Sequence, residues 1–552
     1  MIKSGMLDTG SALLERVFSI ADVVREHATA FPDREALVFH DLRISYRDLD
    51  RAANRYADAL SAMGVRRGDR VAMLCTPRPE FLLTLLASMR IGSIWVGLNP
   101  RYRLREIRHV LEHCRPRILI SLIEEGVGRS LAPELAVIRR EIADLECLVT
   151  IEKAIPGVSE SLSSTMPAEP SRRWDSVCIP DREAARTPAV LVYTSGTTGA
   201  PKGALLPHSA FLHSYRAMAE SFRGQEAIRV GHRIICNLPI NHVGCQADLC
   251  GNALIDVATL VFMDSFKPND IPAVIEREKI SLLGGLPLMH QQVFDHPQLG
   301  AFDLSSLKSV IWGGAPMPRP LLERLMKAGY VLSMHYGLTE GGSINSVSSP
   351  EMGIDDFTAT VGYPDHDQRY RVISANGDAA VAGQVGEVQI VGAGVMLEYF
   401  RDAASTTAAF TADGWLRTGD LVEVRDDGAW CFVGRAGERF KSGGYNVYPR
   451  EIELVLEEHE DVALAAIVPV PDATYDEVGW AFIVPGPGRL LSESALRNFA
   501  LTHLANFKIP KRWFFRTELP VLPIGKIDKR ALRLEALQVH AADRGVKGEV
   551  QH

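Results

Sequence analysis

The chain has 552 residues, of which 46% are hydrophobic and 23% are charged, and its formal net charge is −8. This length predicts two or three domains, and the composition is typical of a globular protein with a large core. The negative charge gives no general attraction to nucleic acid or to anionic membranes. Because no run of about 18 apolar residues is present, we expect no membrane-spanning helix.

The first predicted elements alternate between helix and strand. A helical apolar stripe covers 20–30, alternating residues at 36–46 indicate a strand pair, and 46–63 is helical again. A buried strand at 70–75 is followed by a helix and a second strand. Strands alternate with helices in this way to about residue 330, which favours parallel α/β layers.

The pattern becomes rich in strands from about residue 371. Turn signals at Asn376-Gly377 and Asp427-Gly428 predict two hairpins. A glycine-rich loop follows, then a helix at 449–458 and a small α/β unit that continues to about 535. We therefore predict an N-terminal domain at 1–434 and a C-terminal domain at 435–552.

The eight cysteines are scattered and form no CxxC pair. His242, Cys245 and Cys250 lie close together in sequence, but their spacing matches no common zinc site, so buried reduced thiols are favoured over a metal. Reduced thiols fit a reducing compartment. The N-terminus lacks the long apolar segment of a signal peptide. The sequence therefore predicts a cytoplasmic protein.

The most informative segment is LVYTSGTTGAPKGALLPH, Leu191 to His208. A short apolar strand leads into a loop of hydroxyls and glycines that ends at Lys202, and a helix start is expected beyond it. Glycines let backbone N–H groups approach an anion, while hydroxyls and a lysine add donors and charge. This composition predicts a polyphosphate ligand. It is not the common P-loop, because Lys202-Gly203 reverses the usual Gly-Lys order.

This segment resembles the phosphate loop of the adenylate-forming superfamily, which includes acyl-CoA synthetases, luciferases and peptide-synthetase adenylation domains. SVIWGGAPMP, Ser309 to Pro318, resembles the adenine-side strand of that family. MHYGLTEGG, Met334 to Gly342, resembles its stacking and metal-binding motif. The resemblance implies that Tyr336 stacks on adenine and Thr339 contacts the α-phosphate. It also implies that Glu340 and Thr194 hold Mg²⁺, for which oxygen ligands are suited.

Three later segments extend the resemblance to about residues 20–535. WLRTGDL resembles the ribose clamp, with Asp420 accepting hydrogen bonds from the ribose hydroxyls. GRAGERFKSGGYNVYPREIE resembles the inter-domain hinge and the loop that lines the CoA tunnel. The usual hinge Asp or Lys is replaced by Gly437, which leaves a charged hinge role open although glycine permits motion. ELPVLPIGKIDKRAL places Lys526 at the adenylation lysine, which stabilises the transition state.

The resemblance implies an α/β fold with two α/β subdomains, a β-rich subdomain and a small mobile α+β C-terminal domain. It implies ATP, Mg²⁺ and coenzyme A as ligands. The implied catalytic residues are Lys526, Glu340, Thr194 and Lys202. The implied nucleotide and CoA contacts are Thr194, Ser195, Gly196, Thr197, Thr198, Gly199, Lys202, Gly314, Ala315, Pro316, His335, Tyr336, Gly337, Leu338, Thr339, Asp420, Arg435, Lys526, Ser442, Gly443 and Gly444.

The acid pocket is expected around NLPINHVGCQADL, with His242 as its gate or as a core histidine. Amino-acid-activating relatives place an Asp here, since a buried ammonium needs an opposite charge. Residues 237–246 contain no carboxylate, so an amino-acid substrate is not expected. Small residues favour a bulky apolar acid, with medium or long chain, aryl or alicyclic. The expected lining is His242, Val243, Gly244, Gly285, Leu286, Gly313 and Gly337.

The sequence therefore predicts an AMP-forming acid:CoA ligase. An adenylating enzyme that loads a carrier protein is the alternative, while a luciferase-like oxygenase leaves no readable mark. A silent nucleotide-binding protein is disfavoured because it has no use for Lys526. A homodimer is left open. The Pro-x4-Gly-Lys spacing from Pro520 to Lys526 resembles a lysine-acylation site, so a protein acetyltransferase is a candidate partner, although the spacing also suits the catalytic loop alone.

Overall fold

The structure is a computed structural model that describes residues 13–14, 17–125, 129–171, 174, 184–194, 201–486, 488–522 and 526–548. The chain divides into two compact units. The first contains Met1–Tyr370 and Gln389–Thr418, and the second contains Arg371–Val388 and Gly419–His552.

The first unit is built on two large sheets with parallel centres; antiparallel strands lie at both ends of the nine-stranded sheet and at one end of the eight-stranded sheet. This arrangement confirms the α/β layers. In spatial order, the nine-stranded sheet contains Tyr363–Pro364, Ser346–Val347, Val331–Tyr336, Ser309–Gly313, Leu282–Gly285, Arg233–Cys236, Thr259–Phe262, Glu35–Phe39 and Leu42–Ser45. The eight-stranded sheet contains Glu398–Tyr399, Lys202–Pro207, Pro188–Thr194, Ile94–Leu98, Arg70–Leu74, Ile118–Ser121, Cys147–Thr150 and Glu160–Ser161.

Helices of the first unit pack their apolar stripes against these sheets. The helix Ile20–Ala30 begins at the cap Ser19, and Tyr46–Ala62 begins at Ser45, whose hydroxyl accepts from a backbone N–H. Both match the predicted segments to within a residue. The other helices are Pro79–Ile91, Leu104–Cys114, Ala132–Glu141, Leu162–Thr165, His208–Glu220, Asn252–Ile255, Ile271–Glu278, Pro287–Phe294, Arg319–Lys327, Ile354–Ala359 and Ala403–Ala409, with single 3₁₀ turns at Ala184–Arg186, Glu226–Ile228, Leu299–Ala301 and Thr339–Gly341 and a π-helix at Gly244–Gly251.

The second unit is smaller and rich in strands, as predicted from residue 371 onward. Two predicted hairpin turns are confirmed, with Gly377 and Gly428 both at positive φ. A four-stranded sheet contains Arg369–Ser374, Val385–Val391, Leu416–Val424 and Trp430–Arg435, three of whose strands begin or end in the first unit. A five-stranded sheet contains Tyr445–Val447, Phe440–Ser442, Asp476–Pro485, Val462–Asp472 and Arg512–Phe515, with helices Pro449–Glu457, Glu493–His503 and Lys529–Gly548 and a 3₁₀ turn at Asn506–Lys508.

The five-stranded sheet has a core on each face. One core centres on Ile452, Leu456 and Ile467, and the other on Phe482, Leu519 and Leu532. The compact division places 371–388 and 419–434 with the C-terminal residues, whereas the sequence prediction grouped them with the N-terminal domain. Because compactness does not locate a hinge, the domain boundary at 434/435 stays a prediction.

One local expectation is wrong. The phosphate loop was expected to lead into a helix, but the chain first forms the strand Lys202–Pro207, and the helix begins at His208. Gly203 to Pro207 are buried and pair with the strand Pro188–Thr194. Burial of this apolar run in the sheet therefore outweighs an early helix start.

The helices of the described residues include none that is both long enough and apolar enough to cross a membrane.

Candidate active site

A hairpin brings the two ends of the predicted phosphate loop together. The strands Pro188–Thr194 and Lys202–Pro207 are antiparallel, and Thr194 lies directly opposite Lys202. The geometry fixes a hydroxyl and an ammonium at the base of the loop. Ser195, Gly196, Thr197, Thr198 and Gly199 lie outside the described residues, so their predicted phosphate contacts stay predictions.

Glu340 lies at this base. Its Oε1 accepts hydrogen bonds from Thr194 Oγ1 at 3.0 Å and from the Tyr399 hydroxyl at 2.9 Å. The Tyr399 ring also faces Lys202, whose Nζ is 5.3 Å from the ring centre. The structure thus brings together three of the four predicted catalytic residues. Tyr399 contacts two of them, the Glu340 carboxylate through its hydroxyl and the Lys202 ammonium through its ring.

Sequence analysis missed Tyr399. Its strand, Glu398–Tyr399, has only two residues and pairs with Ala204 and Leu205, next to Lys202. A two-residue strand carries no periodic signal, and Tyr399 is 197 positions away from Lys202 in sequence. Only the sheet pairing brings the two residues together.

Buried hydrogen bonds hold the turn that carries Glu340. Gln368 Nε2 donates to Gly341 O at 3.0 Å, and Met396 N donates to Glu340 O at 2.9 Å. The buried His213 lies at 2.6 Å from Ile344 O through its Nε2. Burial opposes protonation of His213, but the hydrogen bond to Asp367 and the charge of Asp365 outweigh it and raise its pKa.

The adenine-side motif forms two neighbouring strand ends. Ser309–Gly313 lies parallel to Val331–Tyr336, and a Cβ at Gly313 would lie 2.8 Å from His335 O. Glycine is therefore required for this backbone approach. Gly314, Ala315 and Pro316 are exposed beyond the first strand, while Tyr336, Gly337 and Leu338 follow at the end of the second and Thr339 is buried.

The side chain of His335 does not face the strand-end cleft. It is buried, and its Nε2 lies 2.8 Å from Ser333 Oγ and 3.3 Å from Ser221 Oγ. Burial lowers its pKa to about 3, which keeps the imidazole neutral. Alternation along the strand points this side chain into the core, and the nucleotide contact of His335 stays a prediction. Its backbone remains available.

The predicted acid-pocket segment becomes the π-helix Gly244–Gly251. His242 is half-buried, and its Nδ1 accepts a hydrogen bond from Gly244 N at 3.1 Å. A Cβ at Gly244 would lie 3.0 Å from this Nδ1 and 3.6 Å from an oxygen of Asp248. A side chain at position 244 would therefore point between an imidazole and a carboxylate.

Asp248 is a second residue that sequence reasoning missed. Asp248 lies two positions beyond Gln246, the last residue of the segment expected to hold a substrate-pairing carboxylate. A signal was present, because residues four apart on a helix share a face, and Asp248 follows Gly244 by four. Its oxygens accept hydrogen bonds from Ser214 at 2.7 Å and from Ser343 at 2.8 Å.

The remaining pocket residues lie on other elements of the first unit. Gly337 allows Ser343 to approach, because a Cβ at 337 would lie 1.6 Å from Ser343 O. A Cβ at Gly285 would meet the His290 imidazole at 3.5 Å, and Leu286 precedes the helix Pro287–Phe294. Val243 is buried.

The cysteine and histidine residues that are close in sequence do not form one group. Cys236, rather than His242, joins Cys245 and Cys250, with Cys236 Sγ at 3.8 and 3.5 Å from their sulfurs. All three thiols are buried, and the seven cysteines within the described residues are free. Burial raises the pKa of Cys245 and Cys250, as for thiols packed in a core.

In the second unit, Asp420 and Arg435 form a cross-strand pair. Arg435 Nε lies 3.0 Å from Asp420 Oδ1, and Asp420 is 1% exposed. The structure therefore brings together the residues assigned to the ribose clamp and to a ribose or phosphate contact. Gly437 lies in the exposed turn beyond them.

The predicted CoA loop is a tight hairpin. Gly443 and Gly444, at φ +56° and +87°, form the turn between Phe440–Ser442 and Tyr445–Val447. Both glycines are exposed, whereas Ser442 is fully buried. Exposure of these two residues suits a contact with CoA through the backbone.

Lys526 lies at a short bridge near the end of the second unit. Its carbonyl accepts a hydrogen bond from Leu522 N at 2.7 Å, and Val521 pairs with Ile527. Pro523, Ile524 and Gly525 lie outside the described residues. The backbone on the two sides of these residues is therefore joined by hydrogen bonding next to Lys526.

Comparison with known proteins agrees with these motifs. The AMP-binding enzyme family matches residues 24–400, and the AMP-binding enzyme C-terminal domain matches 451–526. A 3-[(3aS,4S,7aS)-7a-methyl-1,5-dioxo-octahydro-1H-inden-4-yl]propanoyl:CoA ligase of Mycobacterium tuberculosis is 33% identical, over 91% of this chain and 96% of the relative. The fatty acid--[acyl-carrier-protein] ligase ScoC of Streptomyces coeruleorubidus is 31% identical, over 92% and 94%.

A solved structure shows the same fold. The ATP-bound MatB of Rhodopseudomonas palustris superposes with a TM-score of 0.80 at 25% identity, covering 93% of this chain and 98% of that one. The fold and the site define an adenylate-forming enzyme with a large N-terminal and a small C-terminal domain. The chain belongs to the AMP-binding enzyme family, which confirms the superfamily inferred from the motifs.

Proposed function

We propose that the protein is an ATP-dependent acid:CoA ligase. It joins a carboxylic acid to the α-phosphate of ATP with release of pyrophosphate, and then transfers the acyl group from AMP to the thiol of CoA. The observation that carries this proposal is the cluster of Thr194, Lys202 and Glu340 at the base of the phosphate loop. It combines a hydroxyl, a cation and a carboxylate where a polyphosphate is expected.

Thr194 and Glu340 fit a Mg²⁺ site. Their oxygens are 3.0 Å apart, and hydroxyl and carboxylate oxygens are the ligands that Mg²⁺ prefers. A bound Mg²⁺ supplies charge neutralisation on the phosphates. Tyr399 holds the Glu340 carboxylate in place, so that both oxygens keep their orientation.

Lys202 and Lys526 act on phosphate charge. Lys202 is held beside the Tyr399 ring at the loop base, and there it contacts the outer phosphates. Lys526 contacts the substrate carboxylate and the α-phosphate, where negative charge grows in the transition state. Asp420 and Arg435 bind the ribose side, Tyr336 stacks on adenine, and Gly443 and Gly444 contact CoA.

The acid is a bulky one, because the predicted lining contains small residues, among them Gly244 and Gly285. The relative that acts on a ring-bearing propanoate supports this size class. A carrier-protein acceptor is the second candidate, since another relative of similar coverage is named for that transfer. The cytoplasmic location, the homodimer and acetylation of Lys526 stay predictions.

The test separates the two half-reactions. Purified protein is assayed for pyrophosphate exchange with short, long-chain, aryl and alicyclic acids, and then for thioester formation with CoA or with an acyl carrier protein. We expect exchange with bulky acids and a thioester with CoA. Exchange followed by transfer to carrier protein alone would establish the alternative, and no exchange with any acid would refute an adenylating activity.

A further inference from the structure

Asp248 places a carboxylate at the wall of the proposed acid pocket. The Cβ direction of Gly244, a predicted pocket residue, ends 3.6 Å from Asp248 Oδ2 and 3.0 Å from His242 Nδ1. Ser343, which binds the same carboxylate, packs its backbone against Gly337, another predicted pocket residue. Asp248 is half-buried, so part of it faces open space. The π-helix Gly244–Gly251 and the segment 337–343 therefore meet at this side chain.

The carboxylate keeps acceptor capacity. Among the described residues it accepts two hydroxyl hydrogen bonds, from Ser214 at 2.7 Å and Ser343 at 2.8 Å, and it has no ion-pair partner within 4.0 Å. Two carboxylate oxygens offer about four acceptor positions, so about two remain. An acceptor that loses water to a bound acid without gaining a hydrogen bond is costly, which favours an acid that donates to it.

The surrounding backbone holds Asp248 in this arrangement. Ser343 has φ +86°, a conformation that a residue with a side chain rarely adopts. Gly342, at φ +87°, packs against Gly394, and a Cβ there would lie 2.5 Å from Gly394 O. Unfavourable backbone conformations persist where neighbouring structure enforces them, often at ligand sites. The Ser343 hydroxyl is thereby directed at the carboxylate.

We propose that Asp248 determines specificity by accepting a hydrogen bond from a hydroxyl or amino group on the acyl substrate, away from its reacting carboxyl group. This inference rests on the proposed ligase function and narrows its substrate class. A pure hydrocarbon acid would displace water from Asp248 without donating a hydrogen bond to its free acceptor positions. The preferred acid is therefore bulky and carries a hydrogen-bond donor.

The closing experiment compares matched acids. Phenylpropanoates with hydroxyl, amino, methyl or methoxy groups at each ring position are assayed for kcat/KM of pyrophosphate release and of CoA thioester formation. In the wild type, the best hydroxyl or amino acid should exceed its methyl and methoxy matches by about tenfold or more. Asp248→Asn, which keeps the size but removes the charge, should reduce this ratio by about tenfold.

Further variants test whether the preference for donor-bearing acids depends on Asp248. Ser343→Ala and Ser214→Ala each remove one orienting hydroxyl and should give a partial fall in the ratio, which keeps the proposal testable if Asp248→Asn does not fold. Asp295→Asn, at an exposed position paired with Arg324, is the matched control and should keep the wild-type ratio.

The outcomes distinguish the two proposals. Thioester formation with a donor ratio near one, or with a ratio that all three pocket variants leave unchanged, would overturn the role of Asp248 and leave the ligase function standing. A preference for α-amino acids over ring-substituted ones would also overturn it, because the donor would then lie beside the reacting carboxyl group. Absence of both pyrophosphate release and thioester with every acid would reject both.

Discussion

At the residue scale, the site depends on a few charged groups that are held by neighbours rather than by local sequence. Glu340 is fixed by Thr194 and Tyr399, and Lys202 is held over the Tyr399 ring. A preorganised charge stabilises a transition state without the cost of reorganising at the moment of reaction. Lys526 is positioned by a different part of the chain from Glu340 and Lys202, because it lies in the second unit.

Lys526→Ala should slow adenylation by on the order of 10²-fold, the effect of losing one directed electrostatic donor. Thioester formation from synthetic acyl-adenylate and CoA should change far less, because the thiol attacks the acyl carbon and no pentacovalent phosphorus forms in that step. The two half-reactions are measured separately by pyrophosphate exchange and thioester release. Lys511→Ala, in the same unit, serves as the control. Equal losses in both half-reactions would contradict the assignment.

At the element scale, the turn after the strand Trp430–Arg435 contains two glycines with different local roles. Gly434 is buried at φ +146°, where L-residues are rare. Gly437 is exposed, has no positive φ, and a Cβ there would meet nothing within 4 Å. Local geometry therefore requires glycine at 434 but not at 437.

Gly437→Asp should therefore change the unfolding free energy by less than about 0.5 kcal/mol, as for an exposed surface position. Gly434→Ala should destabilise by about 1–3 kcal/mol through its backbone conformation. Urea unfolding of both variants against the wild type makes the comparison. A large loss for Gly437→Asp would mean that glycine is required there after all.

At the scale of the whole molecule, histidines that are buried in the neutral form make the folding stability depend on pH. Burial lowers the pKa of His290 to about 4, with a hydrogen bond to Ile311 O only partly opposing it. The unfolded value is about 6.5. A lowered pKa means that the folded state binds fewer protons than the unfolded state. The contribution of neutral His290 to the free energy of unfolding is therefore complete above pH 6.5 and is lost as pH falls toward 4.

The loss of unfolding free energy caused by His290→Gln should therefore be smaller at acidic pH. Relative to its value at pH 7.5, the destabilisation should be smaller by roughly 2 kcal/mol at pH 5, because each pH unit below 6.5 removes about 1.4 kcal/mol. Urea unfolding of the wild type and the variant at pH 5, 6 and 7.5 measures this difference. A destabilisation that is independent of pH would show that the histidine titrates normally in the folded state.

The sequence by itself determined the local elements and the family. Helices at Ile20–Ala30 and Tyr46–Ala62 and the glycine turns of the second unit follow from periodicity, caps and φ preferences, which depend on neighbours in the chain. The motifs fixed the superfamily because their residue types and order are specific. These signals are local, so they are readable without a fold.

Only the tertiary structure decided which distant residues share a site. Tyr399 reaches Glu340 through a two-residue strand pairing, and the hydroxyls of Ser214 and Ser343 hold the Asp248 carboxylate. His335 turns into the core because its strand alternates. Such contacts arise from the packing of elements far apart in sequence, and no window of the chain contains the groups on both sides.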